Sequence, residues 1–195
     1  MAILGSEHTA PVEQRVYRLT VDAYHRMIDA GVFGKDDRVE LVEGELRAMP
    51  PIDARHAGKV KRLNQLFSRL AAGRVLIAIQ DLLALPDYAE LQPDLMLLQP
   101  RQDFYEGSIP TPADTLLVVE VSDRSLGFDR DTKLALYAVH GVPEAWLVDL
   151  KNQRLQIFRD PGPDGYRQIL LPDKAQSVAP LLLPDLEIPL RTLWY

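Results

Sequence analysis

The sequence contains no cysteine, which excludes disulfide bonds, thiolate metal sites and thiol catalysis. It also has no apolar run approaching the ~20 residues that a membrane-spanning helix needs. The N-terminal residues lack the basic region and apolar stretch of a secretory signal, so we expect a cytoplasmic protein with no membrane partner. Its 195 residues, 47% of them hydrophobic, suffice for one compact domain with a core.

An excess of positive charge is missing as well, because the net charge is −6 at pH 7. A protein that holds nucleic acid tightly by counterion release is usually basic. Any contact with nucleic acid must therefore come from a local basic patch or from bound metal ions.

Apolar periodicity and turn residues predict a mixed α/β sheet with helices on it. We expect a flexible N-terminal tail over residues 1–15 and a single domain over residues 16–195. The predicted elements are a helix over 21–30 capped by Thr20, a hairpin around Glu43 and Gly44, a helix over 55–72, strands over 75–84 and 93–99, a loop over 99–114, a strand over 116–121, a helix over 130–140 capped by Asp129, a strand over 144–150, a hairpin around "PGPDG" and a short C-terminal strand and turn.

The stretch Leu116–Val121 is a continuous apolar run, which predicts a central strand covered on both faces. A strand, a helix and a second strand then follow in the order of a right-handed crossover with parallel strands. The apolar run ends near one carboxylate, Glu120, and Lys133 lies in the first turn of the predicted helix. A charge at the end of a buried strand, with a cation placed to meet it, suggests a metal-dependent active site.

Asp94 begins its own predicted strand, directly after a proline. If this strand and the strand of Glu120 are antiparallel neighbours, the two carboxylates meet at one edge of the sheet, and Lys133 points to the same edge. Mg²⁺ takes one or two protein carboxylates and completes its coordination with water and phosphate. The ordinary structural explanation is a turn aspartate, a solvated strand-end glutamate and a surface lysine, and it applies to each residue taken alone.

The segments "RVELVEGEL", "QPDLMLL" and "VVEVSDRSLGFDRDTKLALYAVHGVPEAWLVD", with His56 after the first, resemble the Uma-type family of restriction-endonuclease-like proteins. The resemblance covers nearly the whole chain, and its most specific part is residues 118–149. It implies a PD-(D/E)XK nuclease: a restriction-endonuclease-like mixed β-sheet flanked by helices, with an N-terminal helix and hairpin. The superfamily places a lysine two residues after the second acid, where this chain has Ser122. The family's lysine lies in the following helix and matches Lys133.

The resemblance also draws in Glu40 as the early acid of the site and His56 as a further site residue. From the residues alone, His56 is equally well explained as a local hydrogen-bonding residue at the start of a helix. Gln80 is at best a supporting residue. The remaining histidines, His8, His25 and His140, have no ligand spacing, so we reject a zinc site.

A basic stretch supports a nuclease, because no acid occurs between Ala54 and Gln80. We take Arg55, Lys59 and Arg62 as candidate phosphate contacts. The alternatives are a solvated helix face or a face against an acidic partner subunit, which leaves a homodimer open.

These observations lead to one hypothesis and one alternative. The hypothesis is an endonuclease that hydrolyses DNA with Mg²⁺ or Mn²⁺, with Asp94 and Glu120 as metal ligands and Lys133, Glu40 and His56 as further catalytic residues. RNA is a more distant substrate. The alternative is a noncatalytic DNA- or protein-binding module that kept the nuclease fold. We expect neither Asp94 nor Lys133 to support the core.

Overall fold

The structure is a computed structural model that describes residues 16–194, so the tail predicted over residues 1–15 lies outside it. The single-domain boundary stays a prediction. In chain order the elements are α1 (Val21–Asp29), β1 (Val39–Val42), β2 (Glu45–Ala48), α2 (Ala54–Ala71), β3 (Leu76–Ala78), β4 (Leu83–Leu85), β5 (Ala89–Leu91), β6 (Leu95–Leu98), a 3₁₀ turn (Pro112–Asp114), β7 (Thr115–Ser122), α3 (Leu126–Phe128), a π-helical turn (Asp129–Lys133), α4 (Leu134–Val139), β8 (Glu144–Asp149), β9 (Arg154–Gly162), β10 (Gly165–Leu170), β11 (Ser177–Val178), β12 (Ile188–Pro189) and α5 (Arg191–Trp194). No helix among residues 16–194 combines the length and apolarity needed to cross a membrane.

The central element is a six-stranded sheet with the order β10-β9-β8-β7-β6-β3. Strands β7 and β8 are parallel, and the other neighbours in this sheet are antiparallel. A second sheet has the order β2-β1-β5-β4, and β11 pairs with β12. The predicted mixed sheet and the parallel connection from β7 to β8 are thus confirmed.

Two apolar cores cover the two faces of the six-stranded sheet. On one face, α2 and the C-terminal segment pack against alternate residues of the central strands, and the rings of Phe67 and Trp146 lie 5.9 Å apart. On the other face lie α4 and the four-stranded sheet. The strand β7 is therefore buried on both sides, as its continuous apolar sequence predicts.

Local signals near the N-terminus act as the sequence predicts. The Thr20 hydroxyl accepts a hydrogen bond from the Ala23 amide and caps α1. Glu43 and Gly44 form the hairpin turn with φ values of 50° and 81°. A side chain at Gly44 would also place its Cβ 2.6 Å from the Cβ of Arg18, so both conformation and space favour glycine there.

The strand predicted over residues 75–84 is wrong. The chain forms β3 in the six-stranded sheet and then β4 in the other sheet, with Gln80 at a φ of 53° between them. Strand β4 pairs with β5 in a hairpin that the sequence did not predict. The residues on both sides of Gln80 and Asp81 are apolar, which conceals the break, although β3 is only partly buried and β4 is mostly buried.

The helix predicted over residues 130–140 with Asp129 as its cap is also wrong at its start. The helical segment begins at Leu126, and Asp129 lies inside it, at the first position of the π-helical turn. Lys133 is therefore not in the first turn, and its side chain is buried rather than on the surface. The C-terminal segment ends in a short helix as well as the predicted strand.

Candidate active site

The antiparallel pairing of β6 with β7 brings Asp94 to Glu120. Leu95 lies opposite Val119 in this register, so the residue before Leu95 falls beside the residue after Val119. The link is direct, because Asp94 Oδ2 accepts a hydrogen bond of 2.8 Å from the Val121 amide. Both carboxylates line a cavity of about 590 Å³. The neighbouring strands proposed from the sequence do converge here.

Lys133 lies between two acids from different sheets. Its ammonium nitrogen is 2.8 Å from Glu40 Oε1 and 3.2 Å from Glu120 Oε1. The exposed fractions are 3% for Glu40, 2% for Glu120 and 4% for Lys133. Burial removes water from these charged groups, so each group relies on its oppositely charged partner to offset the cost of desolvation.

Glu40 lies on β1, a strand of the four-stranded sheet, where β1 pairs with β5. Its Oε1 accepts a hydrogen bond of 2.7 Å from the Gln92 amide, just before Asp94 in the chain. This bond ties the early acid to the β5–β6 connection. By contrast, Glu43 and Glu45 are exposed.

Glu120 has an unusual electrostatic environment. Burial raises its pKa well above the ordinary range of a glutamate, Lys133 opposes that rise, and Asp129 and Asp94 add to it. The Tyr137 hydroxyl donates a hydrogen bond of 2.6 Å to Glu120 Oε1. Burial lowers the pKa of Lys133, but Glu120 and Glu40 outweigh that effect and raise it above its ordinary value. The ammonium group therefore stays charged.

His56 lies in the first turn of α2 and contacts Asp94. The distance from His56 Nε2 to Asp94 Oδ2 is 3.0 Å, and this hydrogen bond raises the pKa of His56 although burial lowers it. His56 Nδ1 is buried and has no hydrogen-bond partner within residues 16–194. Gln80 lines the same cavity, and its amide donates to the Asp94 carbonyl at 3.3 Å.

Asp129 and Tyr137 are residues of this cluster that the sequence reasoning missed. The Asp129 carboxylate accepts hydrogen bonds from the hydroxyls of Ser122 and Ser125, the latter at 2.6 Å. Burial raises its pKa, and the two serine hydrogen bonds oppose that rise. The signal was the spacing of four between Asp129, Lys133 and Tyr137, which sets three polar side chains on one face of a helix.

The donor set fits a hard divalent cation only in part. Within the described residues 16–194, no three His, Asp or Glu side chains form a group that could hold a metal by themselves. Asp94 and Glu120 each use one oxygen in the contacts above, and neither second oxygen bonds to a described residue. Two carboxylates at the floor of a cavity match Mg²⁺, which keeps several waters and completes its coordination on phosphate.

Only some of the basic side chains predicted to bind phosphate on α2 are available for such a contact. Arg62 is exposed. Arg55 donates to the Leu150 carbonyl at 2.5 Å, and the Lys59 ammonium contacts the Leu193 carbonyl and lies 4.5 Å from the centre of the Trp194 ring. Burial, followed by the nearby Arg62 and Arg55, lowers the pKa of Lys59 to about 8.

The histidines other than His56 do not line the candidate site within the described residues. His25 Nε2 contacts the buried Glu90 carboxylate at 2.8 Å, and His140 follows the end of α4. His8 lies outside the described residues.

Comparisons with known proteins point to one family. A model of the Uma2 family, described as "Putative restriction endonuclease", matches residues 21–191. A crystal structure of a putative nuclease of DUF820 from Anabaena variabilis is similar at a TM-score of 0.70 and 16% identity, covering 90% of this chain and 97% of that one. At this identity the likeness shows the fold alone. No curated protein matches the chain.

Proposed function

The chain belongs to the Uma2 family of putative restriction endonucleases, as its sequence predicts, and we propose that it is a nuclease that hydrolyses DNA phosphodiester bonds with Mg²⁺ or Mn²⁺. The observation that carries the proposal is the pairing of β6 with β7. It puts Asp94 beside Glu120 on a cavity floor, with the Lys133 ammonium 3.2 Å from Glu120. Two acids and a cation at one sheet edge suit the hydrolysis of a phosphodiester.

Asp94 and Glu120 would hold the cation through the carboxylate oxygens that make no other contact. A bound divalent ion would supply Lewis-acid chemistry, polarising the phosphate and lowering the pKa of a bound water. His56 holds Asp94 in place through Oδ2, the oxygen that also accepts from the Val121 amide, and this leaves Oδ1 for a ligand. His56 is thus a positioning residue.

Lys133 would stabilise the negative charge that develops on the phosphate oxygens. A buried ammonium acts strongly in such a setting, because little water screens it. Glu40 keeps Lys133 in place through the 2.8 Å ion pair, and Tyr137 holds Glu120 through its hydroxyl. Lys133 would thus supply, from the helical segment, the positive charge of the lysine that the PD-(D/E)XK superfamily places two residues after the second acid.

Arg55, Lys59 and Arg62 would face the nucleic-acid backbone. Arg62 is the best candidate of the three, because the other two already contact carbonyl groups of the protein. A small number of phosphate contacts agrees with the net charge of −6 and implies weak, salt-sensitive binding.

One observation favours the alternative of a noncatalytic binding module. The Lys133 ammonium already forms ion pairs with both Glu40 and Glu120, so these two acids have a cationic partner without any metal. In such a module, Asp94→Asn would leave nucleic-acid binding unchanged or strengthen it, since it removes a repulsive charge.

A cleavage assay separates the two functions. Purified protein is incubated with DNA and RNA substrates, with and without Mg²⁺ or Mn²⁺, alongside the variants Asp94→Asn and Glu120→Gln. We expect metal-dependent cleavage that both variants abolish, while Asp164→Asn, an exposed turn residue, cleaves like the wild type. Cleavage by Asp94→Asn and Glu120→Gln at wild-type rates would show that the assigned site is wrong.

A further inference from the structure

The cavity has a wall formed by residues 49–53, the segment that connects β2 to α2. Met49, Pro50, Pro51, Ile52 and Asp53 all line the cavity that contains Asp94 and Glu120. A substrate that enters the cavity therefore passes beside this wall.

The wall is fixed at both ends. The Met49 amide donates to the Arg38 carbonyl at 2.8 Å, and Arg38 Nη1 donates to the Pro50 carbonyl at 3.4 Å. At the other end, Asp53 Oδ1 accepts the His56 amide hydrogen bond at 2.9 Å and caps α2. The two prolines between these anchors have restricted φ angles, so the segment has little freedom to swing away.

A second boundary comes from the connection between β7 and α3. Arg55 Nη1 lies 3.5 Å from Asp123 Oδ1, which joins the start of α2 to this connection. Arg124 is near enough to contribute to the lowered pKa of Asp53, after the larger effect of the Asp53 hydrogen bond with the His56 amide. The Arg55–Asp123 contact thus brings the two boundaries together at the start of α2.

The depth of the acids limits what can reach them. Glu120 is 2% exposed and Lys133 4% exposed, so a phosphate must enter the cavity to contact either group. A DNA duplex is stiff, with a persistence length of about 50 nm, and it carries its phosphates on a regular double-helical surface. A single strand is flexible, so one phosphate can reach a recess while its neighbours remain outside.

The lining of the cavity combines apolar surface with guanidinium groups. Phe128, Met49 and Ile52 offer apolar contacts, and Arg47 and Arg124 are exposed cations at the cavity. Proteins that bind single strands combine aromatic side chains, which stack on bases, with cations that follow the backbone. Resting on the proposed function, we infer that this site takes single-stranded nucleic acid, or a single-stranded end, rather than a duplex.

Binding without metal tests this inference separately from catalysis. Fluorescence anisotropy is measured with a labelled single-stranded oligonucleotide, the blunt duplex of the same sequence, and an RNA strand, all in EDTA at low salt. We expect the wild type to bind single strands at least roughly tenfold more tightly than the duplex. Equal or tighter binding of the duplex would overturn the inference.

Two variants test the lining itself. Phe128→Ala and Arg124→Gln should each weaken single-strand binding by roughly tenfold, while Arg130→Gln, an exposed arginine outside the cavity, should not. Unchanged binding by both lining variants, with folding confirmed by circular dichroism, would also overturn it.

A cleavage assay distinguishes failure of the single-strand inference from failure of the proposed nuclease function. The wild type is given the single strand, the duplex and a duplex with a single-stranded overhang, with Mn²⁺ present. The inference predicts cuts in the single strand and in the overhang, and faster cleavage of duplex when Pro50→Gly and Pro51→Gly loosen the wall. Selective single-strand binding without any metal-dependent cleavage would contradict the proposed function and leave the inference standing.

Discussion

The ammonium nitrogen of Lys133 lies 3.2 Å from Oε1 of Glu120, in a position where both side chains are at most 5% exposed. The two residues belong to a π-helical turn and to the central strand β7. π-Helical turns are rare and often occur at functional sites. This one turns both Asp129 and Lys133 inward, which gives the acids of the sheet a cation from outside it.

The burial of Lys133 makes it important for stability, contrary to the expectation from sequence. Lys133→Met should lower the free energy of unfolding by about 3–5 kcal/mol, because it leaves Glu40 and Glu120 buried without a cation. Urea unfolding at neutral pH measures the change. Lys151→Met, at an exposed turn, is the matched control, and equal stability of the two variants would mean that the cluster is not coupled as described.

Tyr137→Phe should affect both stability and activity. It removes the only hydroxyl that donates to Glu120 among residues 16–194, at a cost of about 1–3 kcal/mol. The comparison is Tyr166→Phe, which removes a hydroxyl that donates to the Val142 carbonyl at 2.9 Å, away from the cavity. We expect both variants to lose stability and only Tyr137→Phe to lose cleavage rate. Equal cleavage rates for Tyr137→Phe and Tyr166→Phe would show that the Tyr137 hydroxyl has no role in catalysis.

The His56 interaction with Asp94 should appear in the pH dependence of the metal-free protein. Because the pKa of His56 is raised in the folded state, its ion pair contributes stability that is fully present below the unfolded value of about 6.5. This contribution is lost as the pH rises through the raised folded value.

Two measurements check that dependence. An NMR titration should give His56 a pKa above 6.5 in the wild type and a lower one in Asp94→Asn. Urea unfolding should show a stability difference between the two proteins that shrinks from pH 5 to pH 8. An unchanged His56 titration in Asp94→Asn would rule out the hydrogen bond as its cause.

The salt dependence of DNA binding tests the role of Arg62. Replacing one phosphate-contacting cation should reduce the slope of log K against log salt concentration by about 1. We expect this for Arg62→Gln and not for Lys61→Gln, an exposed lysine that lies on a different face of α2. If both variants keep the wild-type slope, the basic helix does not contact the backbone.

The sequence predicted the elements that carry local signals. The apolar run of β7, the capping Thr20 and the turn at Glu43 and Gly44 all have short-range causes, so each was predicted correctly. The convergence of Asp94 and Glu120 followed from one topological assumption, the antiparallel pairing of their strands.

The sequence predictions that were wrong concern features that the local sequence does not mark. Asp129 follows the pattern of a helix cap, but hydrogen bonds from Ser122 and Ser125 hold it inside the helical segment. Gln80 breaks the predicted strand with a positive φ that no glycine marks. The burial of Lys133 could not be predicted, because Glu40 approaches it from a different sheet.

We propose that Asp94 and Glu120 together hold a divalent ion in the cavity, and Mn²⁺ binding followed by electron paramagnetic resonance measures this without a cleavage step. Bound Mn²⁺ is counted from the loss of the free-ion signal in the wild type, Asp94→Asn, Glu120→Gln and the control Asp164→Asn. We expect roughly one Mn²⁺ per chain in the wild type and the control, and affinity at least ~10-fold weaker in the two site variants. Wild-type affinity in both site variants, or no binding by the wild type at millimolar Mn²⁺, would contradict it.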